Sequence, residues 1–462
     1  MMRCRSLFAL VAATAGLALV LSSCATSRHA ERRFSRKIQR EVEKSSVFSR
    51  AFTGFTLLDP QSGQTLADVN GDKYFTPASN TKIFTLATCL EVLGDSVPAL
   101  RYSPVPESSD PVWYLGWLIS GTGDPTFLHP KFEAWQTPFE LLKKNGFLGL
   151  FYRHHKINRF GPGWAWDDFN ERYSPELAEM PLYGNMARLT KTSSDWEVSP
   201  PFFKSFLKQR DDYDQIDGNA IFRQAFSDTI SLPYYSESNF KPGFSKEIPM
   251  WQANAKTLSL LLDTLHYPAE SLPTTVQVYN TGDGWPTLYS TPLDTVLRRM
   301  MHQSDNFIAE QMLLVCAGQK FGVLQQDTII RWMLDSVLIS LPQRPRWVDG
   351  SGLSRYNLAS PRDFAQVLLK LWKEQPHEPL RSLFPAGGVH GTVAGWYKGK
   401  DGKPYVFAKT GSMSGVHCLS GYVTTKRGKT LIFSFMHNHF VGSDEPWKQE
   451  MQRILEMIWE RY

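Results

Sequence analysis

The sequence predicts an α+β fold: an antiparallel sheet built from strands at both ends of the chain, flanked by helices, with a large region inserted between them. Three observations predict it. Short strand-like runs open and close the chain, each pair joined by a turn signal. Amphipathic helical patterns follow both pairs. From about residue 100 to 285 the composition shifts to Trp, Tyr, Pro and short runs with few long helical patterns. At 462 residues the chain also exceeds one ordinary core, so two or three structural units are expected.

The first expected strands are Phe52 to Leu58 and Gln64 to Val69, around the turn Asp59-Pro60-Gln61-Ser62-Gly63. Thr76-Pro77-Ala78 then leads into a helix from Ser79 to Leu93, with Ile83, Leu86, Ala87 and Leu90 at helical spacing and Gly94 as its stop. At the far end, His417 to Thr425 and Lys429 to Met436 flank Lys426-Arg427-Gly428 as a hairpin. Glu445 to Tyr462 closes the chain as an amphipathic helix carrying Met451, Ile454, Leu455 and Ile458. Near the start, Phe34, Ile38 and Val42 recur every four residues within the basic tract Arg28 to Lys44. That spacing reads as a small helix packed on the domain, a reading favoured over attraction to anionic headgroups. The expected organisation is a leader over 1–24, a linker and helix over 25–47, a main domain over 48–100 with 285–462, and an inserted region over 101–284.

Residues 1–24 have the charged start and short apolar run of an export signal: Arg3 and Arg5, then Leu7 to Leu21. They end Leu21-Ser22-Ser23-Cys24, which resembles a lipobox, where cleavage precedes a cysteine whose sulfur carries a diacylglycerol. The expectation is therefore an exported, periplasmic protein anchored through Cys24, with the outer membrane favoured. No later segment is apolar for eighteen residues, so acyl chains would be the anchor. Without these residues the chain has 48 basic and 45 acidic side chains, too balanced for a nucleic-acid partner. Cys89, Cys316 and Cys418 sit among apolar neighbours and read as buried thiols. Metal chemistry is not indicated: there is no H-E-x-x-H or paired C-x-x-C, and His437 with His439 lacks a third ligand.

Three short motifs carry the chemistry. Ser79-Asn80-Thr81-Lys82 fits S-x-x-K, a pattern that about two segments of a chain this long match by chance. Ser205 to Lys208 and Ser238 to Lys241 do match it, but neither opens a strong helix, and Pro242 cuts off the second. Only at Ser79 does an amphipathic helix place the lysine one turn on, beside the hydroxyl. Ser304-Asp305-Asn306 is the one S-x-N and Lys409-Thr410-Gly411 the one K-T-G in the chain. All three, in this order, are similar to the signature of penicillin-binding proteins and class A β-lactamases.

A serine hydroxyl becomes a useful nucleophile when a base takes its proton. A lysine serves only if burial and a nearby positive charge destabilise its ammonium. Ser79 is accordingly read as nucleophile and Lys82 as general base, with Lys409 as the positive neighbour. Ser304 would relay a proton to the leaving amine, and Asn306 would hold Lys82 and the substrate amide. Lys409, Thr410 and Ser412, with Gly411 between them, would bind a terminal carboxylate. The backbone N–H groups of Ser79 and Ser412 would form the oxyanion hole.

With these motifs the chain resembles the class C low-molecular-mass penicillin-binding proteins, the D-alanyl-D-alanine carboxypeptidase/endopeptidase family, over roughly residues 48 to 445. Further stretches carry the likeness: Gly123-Asp124-Pro125-Thr126, Pro162-Gly163-Trp164-Ala165-Trp166-Asp167-Asp168, Asp349-Gly350-Ser351-Gly352-Leu353-Ser354-Arg355 and Ala408-Lys409-Thr410-Gly411. So does the wide interval between the first two motifs. Ser412 stands where many relatives have Thr, which keeps the hydroxyl. The resemblance implies a β-lactamase/transpeptidase-like fold with no cofactor. It implies attack on the penultimate D-alanine carbonyl of peptidoglycan stem peptides, and inhibition by β-lactam antibiotics. It also places Asp168 and Arg355 at the cleft mouth, where they would pair with the ammonium and carboxylate of a diaminopimelate branch, with Tyr173 and Met413 along its methylenes.

Two rival readings are weaker. A class A β-lactamase needs a deacylating glutamate in E-x-x-L-N, and between Asn306 and Lys409 none of Glu310, Glu374 and Glu378 begins that pattern. A non-catalytic peptidoglycan-binding lipoprotein would have no need of the full set of chemical residues.

Overall fold

A computed structural model describes residues 32–104, 117–134, 136–145, 147–150, 157–210, 221–233, 240–266, 284–400 and 402–462. The leader, Cys24 and Ser238 therefore lie outside the described residues. The chain divides into two compact units. The first comprises Met1–Phe75, Ala359–Arg381 and Pro385–Tyr462, the second Thr76–Leu358 and Ser382–Phe384.

The first unit is the sheet drawn from both chain ends. Its strand order is Val406–Met413, Val416–Thr424, Thr430–Asn438, Phe52–Leu58, Thr65–Val69, every neighbouring pair antiparallel. The expected hairpins are present with ends shifted by a residue or two. The early strand seals the sheet by pairing Phe52 with Asn438 and Leu58 with Ile432. Strands 416–424 and 430–438 are buried almost throughout, as a sheet covered on both faces requires. One covering face is the C-terminal helix Glu445–Arg461, which puts Trp447, Met451, Ile454, Leu455 and Ile458 into a core with Phe55, Leu419, Phe433 and Phe435. Residues 32–43 form the expected N-terminal helix, with Ile38 and Val42 in the same core. Helix Pro361–Glu374 also packs on this sheet: the Tyr422 hydroxyl donates to Leu368 O at 2.9 Å.

The second unit joins the serine-bearing helix to the inserted region. Helices Lys82–Val92, Leu293–His302 and Asn306–Phe321 pack together, and Cys89 meets Cys316 with sulfurs 3.9 Å apart. A four-stranded sheet runs in the order Thr287–Pro292, Ser96–Pro104, Trp117–Gly121, Phe147–Leu150. Thr287 pairs with Arg101, so the chain re-enters the insertion boundary beside the point where it left. Two three-stranded sheets follow, and one apolar core from Leu100 to Leu262 ties them together. The inserted region also contains helices the sequence pattern did not single out, Gln136–Asn145 and Ala253–Leu265. The latter is bounded by left-handed residues, Gln252 and His266, instead of the usual polar cap and glycine stop, which hid it.

Candidate active site

The segment before Ser79 turns sharply. Ala78 takes a left-handed φ of 47°, a 3-10 turn spans Ala78–Thr81, and the α-helix begins at Lys82. Ser79 is half-buried, while Lys82 is wholly buried. From there the lysine Nζ reaches three oxygens: Ser79 Oγ at 3.0 Å, Asn306 Oδ1 at 2.7 Å and Ser351 O at 2.7 Å. Asn306 is fixed because it opens a helix that Asp305 caps by accepting from Ile308 N at 3.2 Å, and Arg299 pairs with the capping carboxylate at 3.2 Å. Ser304 precedes that cap with φ 55°, half-buried. Asn306 Nδ2 in turn donates to Tyr173 O at 3.0 Å.

Burial lowers the Lys82 pKa to about 8. The charges acting on it, Glu310, Asp349 and Asp305, are acidic and oppose the shift. Desolvation thus supplies the part of the expected shift that the sequence reading gave to burial. Geometry then assigns the lone pair. A neutral amine has two donors, and Asn306 Oδ1 and Ser351 O can only accept, so the remaining direction at Nζ, toward Ser79 Oγ, is that of an acceptor.

The carbonyl of Ser351 is held by two buried acids that the motif spacing did not reveal. Glu310 accepts from Gly350 N at 3.0 Å, Ser351 N at 2.7 Å and Gln326 Nε2 at 2.7 Å. Asp349 accepts from Gly352 N at 2.8 Å, Ser354 N at 2.7 Å, Asn357 Nδ2 at 2.7 Å and Trp164 Nε1 at 3.0 Å. Burial raises the pKa of both carboxyls, and the donated hydrogen bonds pull against it. Glu310 is thereby occupied as a scaffold for the turn, consistent with its lying outside any deacylation motif. Gly352 has φ +81°, and a Cβ there would stand 1.9 Å from Ala78 O. This turn therefore presses directly on the residue before the serine.

In the first unit, the K-T-G strand Val406–Met413 is the sheet's outer strand. On its outer side Ala408 N donates to Pro385 O at 3.0 Å, so by the two-residue period the N–H groups of Thr410 and Ser412 point the same way. Lys409 is buried and donates to Thr410 O at 2.7 Å. Thr410 donates to Thr392 Oγ1 at 2.7 Å. Ser412 is exposed, with Oγ 2.9 Å from His417 Nδ1, and the same nitrogen lies 3.0 Å from Asp444 Oδ2. Burial lowers the His417 pKa, and His417 with Lys448 holds the Asp444 carboxyl well below its usual range. A neutral ring protonated at Nδ1 toward Asp444 makes Ser412 a second acceptor and turns its hydroxyl proton outward. Sequence reasoning missed His417, whose only signal was its place five residues after Ser412. Met413 ends the strand, half-buried.

Among the proposed recognition residues, Asp168 lies in the 3-10 turn Trp166–Asn170 and accepts from the Tyr173 hydroxyl at 2.8 Å. Burial and that bond raise the tyrosine's pKa. Buried Arg223 anchors the turn: its backbone N–H donates to Asn170 Oδ1 at 2.8 Å, and its guanidinium lies 5.1 Å over the Phe169 ring. Arg355 is exposed in the run held by Asp349, whose bond to Trp164 ties that run to the loop leading to Asp168. A cavity of about 210 Å³ opens beside Ser304 and Asn306, with Lys131, Arg172, Tyr173 and Arg299 among its walls. Ser205 and Lys208 are exposed, as expected for chance matches. His437 is buried against Thr53 at 2.9 Å and His439 lies past its strand; among the described residues no three potential metal ligands cluster.

The model of the D-Ala-D-Ala carboxypeptidase 3 (S13) family matches residues 34–215 and 244–458. A D-alanyl-D-alanine carboxypeptidase of Haemophilus influenzae is 25% identical over 427 residues, covering 85% of this chain and 86% of the relative. One from Actinomadura sp. is 24% identical over 435 residues, covering 85% and 78%. The crystal structure of penicillin binding protein 4 from Haemophilus influenzae superposes with a TM-score of 0.70 at 21% identity, covering 92% of this chain and 99% of that one. The expected fold is that of this structure.

Proposed function

The chain belongs to the D-Ala-D-Ala carboxypeptidase 3 (S13) family, and from that premise we propose how its residues carry out the reaction. It is a serine-type D-Ala-D-Ala carboxypeptidase. Neutral Lys82 takes the proton from Ser79 Oγ, and the oxygen attacks the carbonyl of the penultimate D-alanine. The C–N bond breaks as Ser304 relays the proton from the Lys82 ammonium to the departing amine, which leaves an ester on Ser79 and returns the lysine to its neutral form. Water, deprotonated at the same lysine, then hydrolyses the ester and restores the hydroxyl. Lys409, Thr410 and Ser412 take the terminal carboxylate. A leaving amine that belongs to a second stem peptide makes the same chemistry an endopeptidase step.

The observation that carries this reading is the buried Lys82 Nζ, 3.0 Å from Ser79 Oγ, with its two other hydrogen-bonding directions already given to acceptors. A fluorescent penicillin tests it, since its strained carbonyl is attacked like that of D-alanine. Label should sit on Ser79 alone and disappear, with peptidase activity, in Ser79→Ala. Labelling that persists in this variant would sink the assignment.

A further inference from the structure

The N-terminal helix, residues 32–43, has one face accounted for. Ile38 and Val42 are buried in the sheet core, and Phe34 meets Tyr462 edge-on at 5.6 Å. Its other face, with the residue just after it, is cationic: Arg32, Arg33, Arg36, Lys37, Arg40 and Lys44 are exposed. None of these six makes an ion pair among the described residues. The nearby acids are otherwise engaged. Glu41 pairs with Arg453 at 3.0 Å, Arg453 also holds Glu450 at 2.8 Å, and Glu43 accepts from Gln39 at 2.8 Å. An ordinary solvated helix face interleaves the two signs. Here five of the cations, with Arg453, line an open groove of about 1030 Å³ whose two acids, Glu41 and Glu450, are the ones Arg453 already holds, so the five remain in excess.

We propose that this face rests on an anionic phospholipid surface, with phosphodiester headgroups entering the groove. Packing against the protein and attraction to headgroups are then properties of opposite sides of one helix. Four of the six cations are arginines, whose planar fork matches a phosphodiester's two oxygens. Arg32, the first of these cations, also stands eight residues after Cys24 in the sequence, close enough for a lipid on that cysteine to hold this face at the bilayer. An acyl anchor and a polybasic face are the usual pair of signals for stable, oriented attachment. Charge complementarity alone would bring this face to an anionic bilayer, with or without the anchor and whatever Ser79 does.

The test uses the full chain, reconstituted in phosphatidylcholine vesicles with or without phosphatidylglycerol, with a fluorescent amino acid in place of Glu43 and nitroxide on the headgroups. Quenching should appear in the anionic vesicles and fade at about 1 M salt, where the Debye length is about 3 Å. The triple variant Arg33→Ser, Arg36→Ser, Arg40→Ser should weaken contact roughly a hundredfold, at about fivefold per cation. Penicillin labelling of Ser79, read on the same samples, should be unchanged in that variant; its absence from the parent chain would count against the catalytic reading alone. Equal quenching in neutral and anionic vesicles would overturn the proposal, as would charge-dependent quenching that survives the triple substitution. So would isolated cell-wall sacculi that restrain the probe as well as vesicles do.

Discussion

Lys82 sits where two unyielding acceptors and one hydroxyl meet, and its protonation state decides whether Ser79 can be activated. With a pKa lowered to about 8, the lysine is mostly charged at neutral pH and becomes the reactive neutral base as pH rises. The acylation rate at limiting substrate should therefore climb about tenfold per pH unit below that value and level off above it. A stopped-flow profile of penicillin acylation checks this; a rate flat from pH 6 to 9 would mean that another group takes the proton. Recognition should separate from chemistry. On the reading that Asp168 and Arg355 grip a diaminopimelate branch, Asp168→Ala and Arg355→Ala would each remove a charged contact of roughly 1.5–3 kcal/mol, so cleavage of diaminopimelate-containing peptides should fall about tenfold to a hundredfold. Acylation by a simple penicillin should hardly change. Equal losses on both substrates would instead make these residues structural. At this scale the motifs were legible because their spacing carries the chemistry. The parts played by Glu310, Asp349 and His417 were not, although Asp349 stands in one of the quoted stretches: each acts by holding a neighbour, and no periodicity marks a buried carboxylate such as Glu310 that folds a turn 40 residues away.

Single elements show how tightly the serine is braced. The Asp349–Ser354 turn meets the backbone of Ala78 at Gly352, so Gly352→Ala forces a Cβ into a carbonyl at a φ that disfavours any side chain. The expected cost is roughly 3 kcal/mol or more, read as a melting point several degrees lower, together with slower penicillin acylation. Unchanged acylation would mean that this turn supports the fold without positioning Ser79. The strands at both chain ends were readable from alternation and turn residues, and the Ser79 helix from its apolar stripe. The helix Ala253–Leu265 was not, because its ends lack cap residues and its neighbours are short strands.

Across the whole molecule, the sequence indicated an insertion near residues 100 and 285, and the antiparallel pair Thr287 and Arg101 lies at those limits. Yet the compact units divide elsewhere, at Phe75 and Leu358, and the Ser79 helix groups with the inserted region. Composition marks where a style of structure changes; which helices share a core is settled by contacts between distant segments. The attachment to the envelope expected from the lipobox likewise concerns the whole chain. Cys24→Ala should abolish metabolic acyl labelling and release the protein from membranes or leave an uncleaved precursor. Acyl labelling undiminished in that variant would refute the anchor.

The sheet's second-last strand in space is its first in sequence. Thr53 and His437 touch across 384 residues, so on a ribosome adding ~5–20 residues per second the early hairpin waits tens of seconds for its partner to be made. During that interval Phe55 and Leu57 have no sheet to enter, and the edge they present is one that other chains can join. The polypeptide is thus obliged to finish synthesis before it can close, which leaves it loose and threadable throughout the period when a nascent chain would be handed to a holding chaperone.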